Sequence, residues 1–342
     1  MNVLVSGGAG YIGSHACLSL LDAGHEVTIV DNLHMGHLGA VRVLEGLGGD
    51  RVRFLQCDIL ERARLVEAMK AHRIDTVMHF AALAEVGESV RDPLAYYRNN
   101  TAGTISLIEA CEACDVERFV FSSTCATYGE PAPERIPIRE DCPQAPMNPY
   151  GRSKLMVEHV LHDRAHAAAL ADRPFAYAAL RYFNVAGADP ETRLGEDHRP
   201  ESHLLPICLQ VALGQRDAIT VFGTDYPTPD GTCIRDYVHV SDLVRAHLMV
   251  MDALEPGDQR HYNIGIGRGY SVHECVEACR RVTGHPIPAK EGARRPGDPP
   301  ELTADPTRIR EELGFNAEHT DLDGIISTAW NWFQAHPDGY ED

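Results

Sequence analysis

A glycine-rich turn directly after the first apolar run restricts the fold of this chain more than any other feature. Residues 8–13 have the pattern G-x-G-x-x-G, follow the apolar run 3–6 and open an amphipathic stretch. Glycine lets the backbone approach a pyrophosphate at a helix N-terminus, because a side chain would stand in the way. Asp31 ends the next apolar run, where a carboxylate accepts hydrogen bonds from ribose hydroxyls. The first unit therefore predicts a strand–helix–strand fold that binds a dinucleotide.

Asp31 also indicates which dinucleotide to expect. Its carboxylate would face the 2′-phosphate of NADP with like charge, and residues 32–36 contain no Arg or Lys to offset it. We therefore predict NAD as the cofactor. Asp58 and Ile59 follow the third predicted strand, where they are placed to meet the adenine edge. A role for Asp58 as the N-cap of the next helix is an equally open alternative.

Short apolar runs alternate with amphipathic stretches through the first half of the chain. This alternation is typical of a parallel sheet covered by helices on both faces, with ligands at the carboxyl ends of the strands. Strands are predicted at Val3–Ser6, Val27–Asp31, Arg53–Gln56, Thr76–Ala81, Phe119–Ser123 and Phe175–Tyr182. Helices are predicted at Ile12–Ala23, Glu61–His72, Leu94–Cys114 and Tyr150–Ala169.

The second half has a different texture, because Pro and Gly interrupt shorter elements after about residue 184. Weak strands are predicted at Ile219–Phe222 and Tyr262–Gly265, and an amphipathic helix at Leu322–Ala335. The fold class that follows is α/β. We expect a doubly wound parallel sheet of the Rossmann type over residues 1–183 and a smaller α/β substrate lobe over residues 184–342. Some segments of the second half are expected to return to the first domain.

Composition excludes several classes of protein. The 342 residues have a formal net charge of −19, and so acidic a surface repels nucleic acid and anionic lipid. No apolar run approaches the roughly 18–20 residues that span a bilayer, and the first residues lack the features of a signal peptide. The ten cysteines are scattered, which favours a reducing compartment over a disulfide scaffold. We expect a cytoplasmic protein with no nucleic-acid or membrane partner.

Tyr150 and Lys154 form a Y-x-x-x-K pattern at the start of a predicted helix, so both side chains share one helical face. A tyrosine with a pKa near 10 is a poor base at pH 7. A neighbouring lysine charge together with an oxidised nicotinamide would lower that pKa. Thr124 follows the preceding predicted strand, where its hydroxyl can share the same substrate oxygen. The three residues predict a proton-transfer site.

The same predicted helix also carries three histidines at a spacing found in metal sites. His159, His162 and His166 share a face near Asp163, but no Cys or Glu completes a set of ligands in the sequence. A solvated helix face is the favoured interpretation, and we predict no metal.

Taken together, the motifs resemble the extended short-chain dehydrogenase/reductase family over essentially the whole chain. The motifs of the first half are residues 7–13, 31–33, 79–82, 86–89, 99–100, 122–124, 150–154 and 181–184. Those of the second half, at residues 222–226, 230–232, 235–240 and 336–340, are more specific. They are similar to a group of epimerases in this family that act on UDP-sugars.

The resemblance implies reversible inversion at C4 of UDP-glucose and UDP-galactose, in galactose metabolism, through a 4-keto sugar and a tightly held NAD. Tyr150 would take the 4-hydroxyl proton, Thr124 would share the oxygen, and Lys154 would hold the cofactor ribose. The implied cofactor contacts are Gly7, Gly10, Tyr11, Ile12, Gly13, Asp31, Asn32, Asp58, Ile59, Phe80, Ala81, Asn99, Tyr150, Lys154 and Phe183. The implied substrate contacts are Thr124, Tyr150, Asn184, His203, Leu204, Phe222, Arg235, Arg295, Asp298 and Leu302.

Four positions depart from the pattern of the family. Thr124 stands where many members have Ser, and Ala84 where some have Lys. His203 replaces an Asn, which puts its uridine contact in question. Leu302 lies where the family walls off the C2 substituent of the hexose, and its intermediate size predicts a preference for UDP-glucose and UDP-galactose with weak activity on the N-acetylated pair.

Other functions remain open at this stage. A 4,6-dehydratase would need an Asp-Glu pair after Thr124, whereas Cys125-Ala126 follows. Epimerases acting on UDP-xylose, UDP-glucuronate or UDP-N-acetylhexosamine differ only in the lining of the pocket. An inactive NAD-sensing protein would not need Tyr150 and Lys154.

We also predict a homodimer. In the resembling enzymes, helices equivalent to Leu94–Cys114 and Tyr150–Ala169 pair across a two-fold axis. Leu155, Val157, Val160 and Leu161 offer apolar surface for this pairing.

Overall fold

A computed structural model describes residues 1–295 and 297–341 of the chain. The strands are β1 (Asn2–Ser6), β2 (Glu26–Asp31), β3 (Val52–Gln56), β4 (Thr76–His79), β5 (Arg118–Ser122), β6 (Ala176–Tyr182), β7 (Asn184–Ala186), β8 (Ile219–Phe222), β9 (Ile234–His239), β10 (Gln259–Ile264), β11 (Gly269–Ser271), β12 (Ala289–Gly292) and β13 (Glu301–Leu302). The helices are α1 (Tyr11–Asp22), α2 (Leu38–Gly48), α3 (Arg62–His72), α4 (Val86–Arg91), α5 (Pro93–Tyr96), α6 (Gly103–Glu112), α7 (Pro149–Leu170), α8 (Leu204–Ala212), α9 (Val240–Ala253), α10 (Val272–Thr283), α11 (Thr307–Leu313) and α12 (Leu322–Ala335).

Seven parallel strands form the central sheet in the order β10-β6-β5-β4-β1-β2-β3. The chain runs outward from β1 to β3 and then crosses to β4 on the other side of β1. The carboxyl ends of β1 and β4 therefore flank the point at which the winding reverses, where open α/β sheets bind ligands. The predicted α/β fold with a Rossmann-type sheet is confirmed.

Helices cover both faces of this sheet because its strands alternate apolar side chains toward two cores. Val3 and Val5 of β1 pack in one core with residues of α1 and α9. Leu4, between them, packs in the other core with residues of α3, α6 and α7. Burial on both faces is typical of parallel strands and accounts for their nearly continuous apolar runs.

The second half of the chain builds a smaller α/β lobe around β9. This strand pairs with β7, β11 and β13, while β8 pairs with β12. However, β10 leaves the lobe and extends the central sheet beside β6. The division of the chain at residues 183 and 184 stays a prediction, with β10 belonging to the first sheet.

One predicted helix is interrupted. The stretch predicted as Leu94–Cys114 consists of α5, a π-helical turn at Tyr97–Ala102 and α6. Inside the turn, the Asn100 amide bonds both backbone groups of Leu83 at 2.8 and 2.9 Å and the Ser153 hydroxyl at 3.0 Å. π-Helical turns of this kind are frequent at functional sites. The turn fixes the segment that follows β4 against α7.

Two further findings bear on the class of protein. Within residues 1–295 and 297–341, no helix has the length and apolar character needed to cross a membrane. The ten cysteines are all free.

Candidate active site

The glycine turn between β1 and α1 is closed so tightly that Gly7 and Gly13 cannot be replaced without movement. A Cβ on Gly7, whose φ is +76°, would lie 2.5 Å from the backbone nitrogen of Ala81. A Cβ on Gly13 would lie 2.1 Å from the carbonyl oxygen of Gly7. Gly10 is the N-cap of α1 and has no side chain to cap the helix. The first N–H groups of α1 therefore remain available to an anion such as a pyrophosphate.

Asp31, at the end of β2, faces this turn. Its carboxylate accepts hydrogen bonds from the backbone nitrogens of Ala9 at 3.1 Å and Leu33 at 2.8 Å. Burial raises the pKa of Asp31, while these two N–H groups lower it. Each carboxylate oxygen keeps a further lone pair. The geometry therefore places a carboxylate with free lone pairs next to the N-terminus of α1.

Asn32 and Asp58 meet at the ends of β2 and β3. The Asn32 amide donates to Asp58 Oδ2 at 2.8 Å, and Asp58 Oδ1 accepts from the backbone nitrogen of Leu60 at 2.9 Å. The N-cap of α3 is Glu61, so the alternative in which Asp58 is the N-cap is wrong. Ile59 is buried beside Gly103, whose Cβ would lie 2.6 Å from its side chain.

The remaining predicted cofactor residues surround the same crevice. The backbone nitrogens of Phe80 and Ala81 both donate to the carbonyl of Ser6, at 2.8 and 3.0 Å, which joins the end of β4 to the glycine turn. Tyr11 is buried and donates to the carbonyl of Gly187 at 2.5 Å. Ile12 and Asn99 are partly buried, and Phe183 is buried.

The start of α7 brings Tyr150 to Thr124. Asn148 caps the helix by accepting from the backbone nitrogen of Gly151 at 2.8 Å. A Cβ on Gly151 would lie 2.5 Å from the carbonyl oxygen of Ala126, so only glycine lets α7 pack this close to the turn after β5. The Thr124 hydroxyl lies close enough to the Tyr150 phenol to lower its pKa.

Lys154 lies one turn further along α7. Its ammonium donates to the carbonyl of Ser122 at 2.8 Å and lies 4.9 Å from the centre of the Phe121 ring. The predicted proton-transfer residues Thr124, Tyr150 and Lys154 are all buried. They converge at the carboxyl end of β5.

A second group of predicted residues lies in the smaller lobe. The Arg295 guanidinium carbon lies 4.1 Å from the centre of the Phe222 ring. Arg235 is ion-paired with Asp298 and donates to the carbonyl of Pro299 at 2.9 Å. Leu302 is the residue opposite Arg235 in the pairing of β13 with β9. These five predicted substrate residues therefore lie around the edge that β9 and β13 share and the end of β8.

Asn184, His203 and Leu204 approach from other elements. Asn184 begins β7, and Leu204 begins α8. The contacts of His203 run mainly to carboxylates, with Nδ1 2.8 Å from Glu201 Oε1. This arrangement differs from the predicted uridine contact, which stays a prediction.

A match to a known protein family decides the classification of the chain. Residues 3–265 match the NAD dependent epimerase/dehydratase family. The chain belongs to this family.

Proteins similar to this epimerase/dehydratase chain match it over essentially its full length. It is 49% identical over 341 residues to a UDP-glucose 4-epimerase of Halalkalibacterium halodurans, covering 99% of this chain and 98% of the relative. It is 47% identical over 345 residues to a probable UDP-arabinose 4-epimerase of Oryza sativa subsp. japonica, covering 99% and 84%. A crystal structure of UDP-glucose 4-epimerase from Bifidobacterium longum in complex with NAD⁺ and UDP superposes with a TM-score of 0.94 at 38% identity, covering 99% and 100%. The resemblance stated from the sequence is confirmed.

Electrostatics in the epimerase/dehydratase site are dominated by burial. Burial lowers the pKa of Lys154 to about 7. Burial raises the pKa of Tyr150, and the hydrogen bond from Thr124 lowers it. Among the chain's own groups burial outweighs the lowering effects, so the expected depression of the Tyr150 pKa does not occur without a further positive charge.

The sequence analysis missed a buried ion pair that supports the site. Arg181 on β6 donates to both oxygens of Glu158 on α7, at 3.0 and 2.6 Å. Ser123, next to Thr124, donates to Glu158 at 2.5 Å. Arg181 lowers the pKa of Glu158 against the raising effect of burial. Glu158 lies one turn after Lys154, so helical spacing could have indicated that Glu158 shares the face of Lys154. The spacing does not reveal its pairing with Arg181.

His79 was also missed. Its ring nitrogens lie 2.6 Å from the Ser6 hydroxyl and 2.7 Å from the Thr104 hydroxyl, which connects β4 to β1 and to α6. Burial lowers the pKa of His79 to about 3, with a smaller contribution from Lys154. The ring is therefore neutral at the base of the site.

Proposed function

We propose that this chain is an NAD-dependent isomerase that interconverts UDP-galactose and UDP-glucose by inversion at C4. The observation that carries the proposal is the convergence of Thr124, Tyr150 and Lys154 beside the turn that Gly7 and Gly13 close. The full-length similarity to UDP-glucose 4-epimerases supports the same reaction.

The residues of the crevice fit NAD. A Cβ at Gly7 or Gly13 would collide with neighbouring backbone, so these glycines keep the turn tight, while Gly10 at the N-cap of α1 leaves the backbone open to a pyrophosphate. Asp31 presents a carboxylate to the ribose and like charge to a 2′-phosphate, so NAD is favoured over NADP. When bound, NAD supplies the hydride acceptor that oxidises C4 and the hydride that reduces it again.

The chain's own residues move the proton and hold the sugar. Tyr150 takes the proton of the 4-hydroxyl as C4 is oxidised and returns it to the same oxygen when C4 is reduced on the opposite face. Thr124 donates a hydrogen bond that holds this oxygen next to the phenol. Lys154 lies one turn away on α7, and its charge together with that of an oxidised nicotinamide would favour the phenolate. Buried surroundings exclude water from the ketone.

Inversion also requires the 4-keto sugar to turn over while the nucleotide stays in place. Arg235 and Arg295 would bind the diphosphate, since guanidinium groups suit phosphate oxygens. Phe222 would pack beside the uracil, and Asp298 would accept from the uridine ribose. The Arg235–Asp298 ion pair orients both groups before the nucleotide arrives, so tight binding falls on UDP rather than on the hexose.

Tyr150→Phe tests the proposed function. The variant loses the proton acceptor but keeps the ring, so we expect NAD to stay bound and turnover of UDP-galactose to fall about 10²-fold or more. Wild-type protein should act without added cofactor. Turnover near the wild-type rate in the variant would contradict the assignment.

A second candidate is epimerisation of a UDP-pentose, because the rice relative is called a probable UDP-arabinose 4-epimerase. The N-acetylated UDP-hexoses and UDP-glucuronate also remain as alternatives. Rates with UDP-galactose, UDP-arabinose and UDP-N-acetylgalactosamine, measured on the same preparation, distinguish them. We expect UDP-galactose to be the best of the three.

We further propose a homodimer formed by the surface around α5, α6 and α7. Leu94, Ile105 and Met156 are 68%, 37% and 43% exposed on these helices, which supports an apolar contact. The sequence prediction was wrong about two residues, because Val157 and Leu161 are fully buried in the core of the same chain.

Light scattering tests the dimer. We expect about twice the mass of the 37.6 kDa chain at micromolar concentration, and a monomer for Leu94→Glu. Leu47→Glu, at an exposed apolar residue on α2, should leave the dimer intact. A monomeric wild-type protein would refute the proposal.

The acidic net charge and the free cysteines support a cytoplasmic protein without a nucleic-acid partner.

A further inference from the structure

The loop between β7 and α8 contains a repeated pattern that takes no part in the proposed proton transfer. Glu196-Asp197-His198 and Glu201-Ser202-His203 each place a carboxylate two residues before an imidazole. The structure folds the two halves together, and one ligand atom from each Glu and His lies within 4.8 Å of all the others. Two carboxylates and two imidazoles are a donor set that first-row divalent metals accept.

The distances match a four-coordinate site. His198 Nδ1 lies 3.2 Å from Glu196 Oε1 and 3.6 Å from Glu201 Oε2. His203 Nδ1 lies 3.4 Å from Glu196 Oε1 and 2.8 Å from Glu201 Oε1. Zinc bonds of about 2.0–2.2 Å in a tetrahedron place neighbouring ligand atoms about 3.3–3.6 Å apart. The four ligand atoms lie within 4.8 Å of one another, so the side chains would have to move inward by about 1 Å to surround one ion.

Both carboxylates face the same histidine nitrogen. Nδ1 of His198 is shielded from solvent and lies 3.2 Å from Glu196 Oε1 and 3.6 Å from Glu201 Oε2, yet it forms no well-aligned hydrogen bond to either. The Glu196 and Glu201 side chains are also only 7% and 2% exposed.

Residues around these four side chains also support such a site. His203 Nε2 faces Glu85 Oε1 at 4.0 Å, and the Ser202 hydroxyl donates to both oxygens of Glu85 at 2.7 Å. A carboxylate behind the outer nitrogen of a histidine is the usual second-shell partner of a metal ligand. Asp197, between the two ligand pairs, accepts from the backbone nitrogen of Tyr340 at 3.0 Å, which holds the loop in place.

We propose that Glu196, His198, Glu201 and His203 form a structural site for one divalent cation of the zinc class. The site lies beside Tyr11, whose ring meets that of His198 edge-on at 6.4 Å, and directly before Leu204 at the start of α8. It fastens the loop that bridges the glycine turn and the smaller lobe. This proposal departs from the expectation of no metal, which considered only the histidines of α7.

Cobalt(II) binding tests the proposal on the purified, NAD-containing protein after treatment with a chelator. We expect one equivalent of Co²⁺ with the visible absorption of a four-coordinate ion, displaced by Zn²⁺, and a rise in melting temperature on adding Zn²⁺. His198→Gln and the volume-conserving Glu201→Gln should each weaken binding at least 100-fold while retaining NAD. His166→Gln, at an exposed residue of α7, should bind like wild type.

Three results would overturn the proposal. They are Co²⁺ that stays six-coordinate and hydrated, wild-type affinity in both His198→Gln and Glu201→Gln, and equal loss of binding in His166→Gln. If His198→Gln does not fold, Glu201→Gln and the melting temperature of the wild-type protein decide. A melting temperature that Zn²⁺ does not raise would mean that the four side chains form only an ion-pair network.

Discussion

Replacing Lys154 by Met should make the nucleotide-free protein more stable at pH 7 while it abolishes most of the activity. The Lys154 ammonium is buried, and burial lowers its pKa from 10.5 to about 7. A lysine with a lower pKa in the folded state binds fewer protons folded than unfolded. Stability is therefore lost as the pH falls from about 10.5 to about 7.

The magnitude follows from the two pKa values. As the pH falls through that window, each pH unit lowers the free energy of unfolding by about 1.4 kcal/mol. The total loss of stability is therefore about 4 kcal/mol at pH 7. Lys154→Met removes this loss, but it leaves the Ser122 carbonyl without the hydrogen bond it accepts at 2.8 Å. An unsatisfied buried carbonyl costs about 1–3 kcal/mol. The net gain in unfolding free energy at pH 7 is therefore about 1–3 kcal/mol.

Urea unfolding at pH 7, 8 and 9 measures the effect after removal of bound nucleotide. The difference in unfolding free energy between variant and wild type should shrink by about 1.4 kcal/mol per pH unit as the pH rises. Lys70→Met is the matched control, since Lys70 is exposed on α3 and should give a difference independent of pH. A Lys154→Met difference that does not change with pH would refute the reasoning.

Substitutions at two further positions test the sugar pocket and the glycine turn. Leu302 is 7% exposed and packs in a cluster with Phe183 and Cys125, so Leu302→Tyr should abolish weak turnover of UDP-N-acetylgalactosamine and spare UDP-galactose. Leu302→Ser should raise that weak turnover roughly 5- to 200-fold, the range expected for relieving about 1–3 kcal/mol of overpacking; equal use of both sugars by wild type would show that Leu302 is not the wall. Gly13→Ala places a Cβ 2.1 Å from the Gly7 carbonyl oxygen, so the purified variant should lack NAD by absorbance and mass spectrometry. Gly46→Ala, where a Cβ meets nothing within 4 Å, should retain NAD, and full NAD content in Gly13→Ala would argue against the turn as the pyrophosphate cradle.

Local patterns in the sequence were sufficient for the parts of the site that depend on neighbouring residues. The glycine turn could be predicted from its own sequence, because a Cβ at Gly13 would clash with Gly7, only six positions away. Tyr150 and Lys154 are related by one helical turn, which spacing alone reveals. The doubly wound sheet followed from the alternation of apolar runs.

Contacts between distant elements could not be predicted in the same way. Glu158 and Arg181 form a buried pair only because α7 packs across β6, and no local pattern joins a helix to that strand. The strand β10 was predicted as a weak one, yet its place beside β6 depends on pairing across about 80 residues of chain. The interruption of Leu94–Cys114 similarly depends on hydrogen bonds from Asn100 to Leu83 and Ser153.

Histidine gives the clearest contrast between spacing and structure. His159, His162 and His166 have helical spacing suited to a metal, but the structure brings together His198 and His203 with Glu196 and Glu201 instead. The loop that carries them repeats the spacing Glu-x-His, but no local pattern shows that the two halves fold together. Its fold depends on Tyr340 from the C-terminal segment, whose hydroxyl accepts from the backbone nitrogen of Gly195 at 2.9 Å.

The fate of the hydrogen at C4 tests the central claim most directly. If the bound dinucleotide takes the C4 hydrogen as hydride and returns it within a closed site, while Tyr150 moves only the proton of the 4-hydroxyl, UDP-galactose carrying deuterium at C4 should yield UDP-glucose with the deuterium still at C4. Mass spectrometry and proton NMR of the product, without added NAD, measure this retention. Conversion with loss of deuterium to water would contradict the account, as would an absence of conversion by protein that contains NAD.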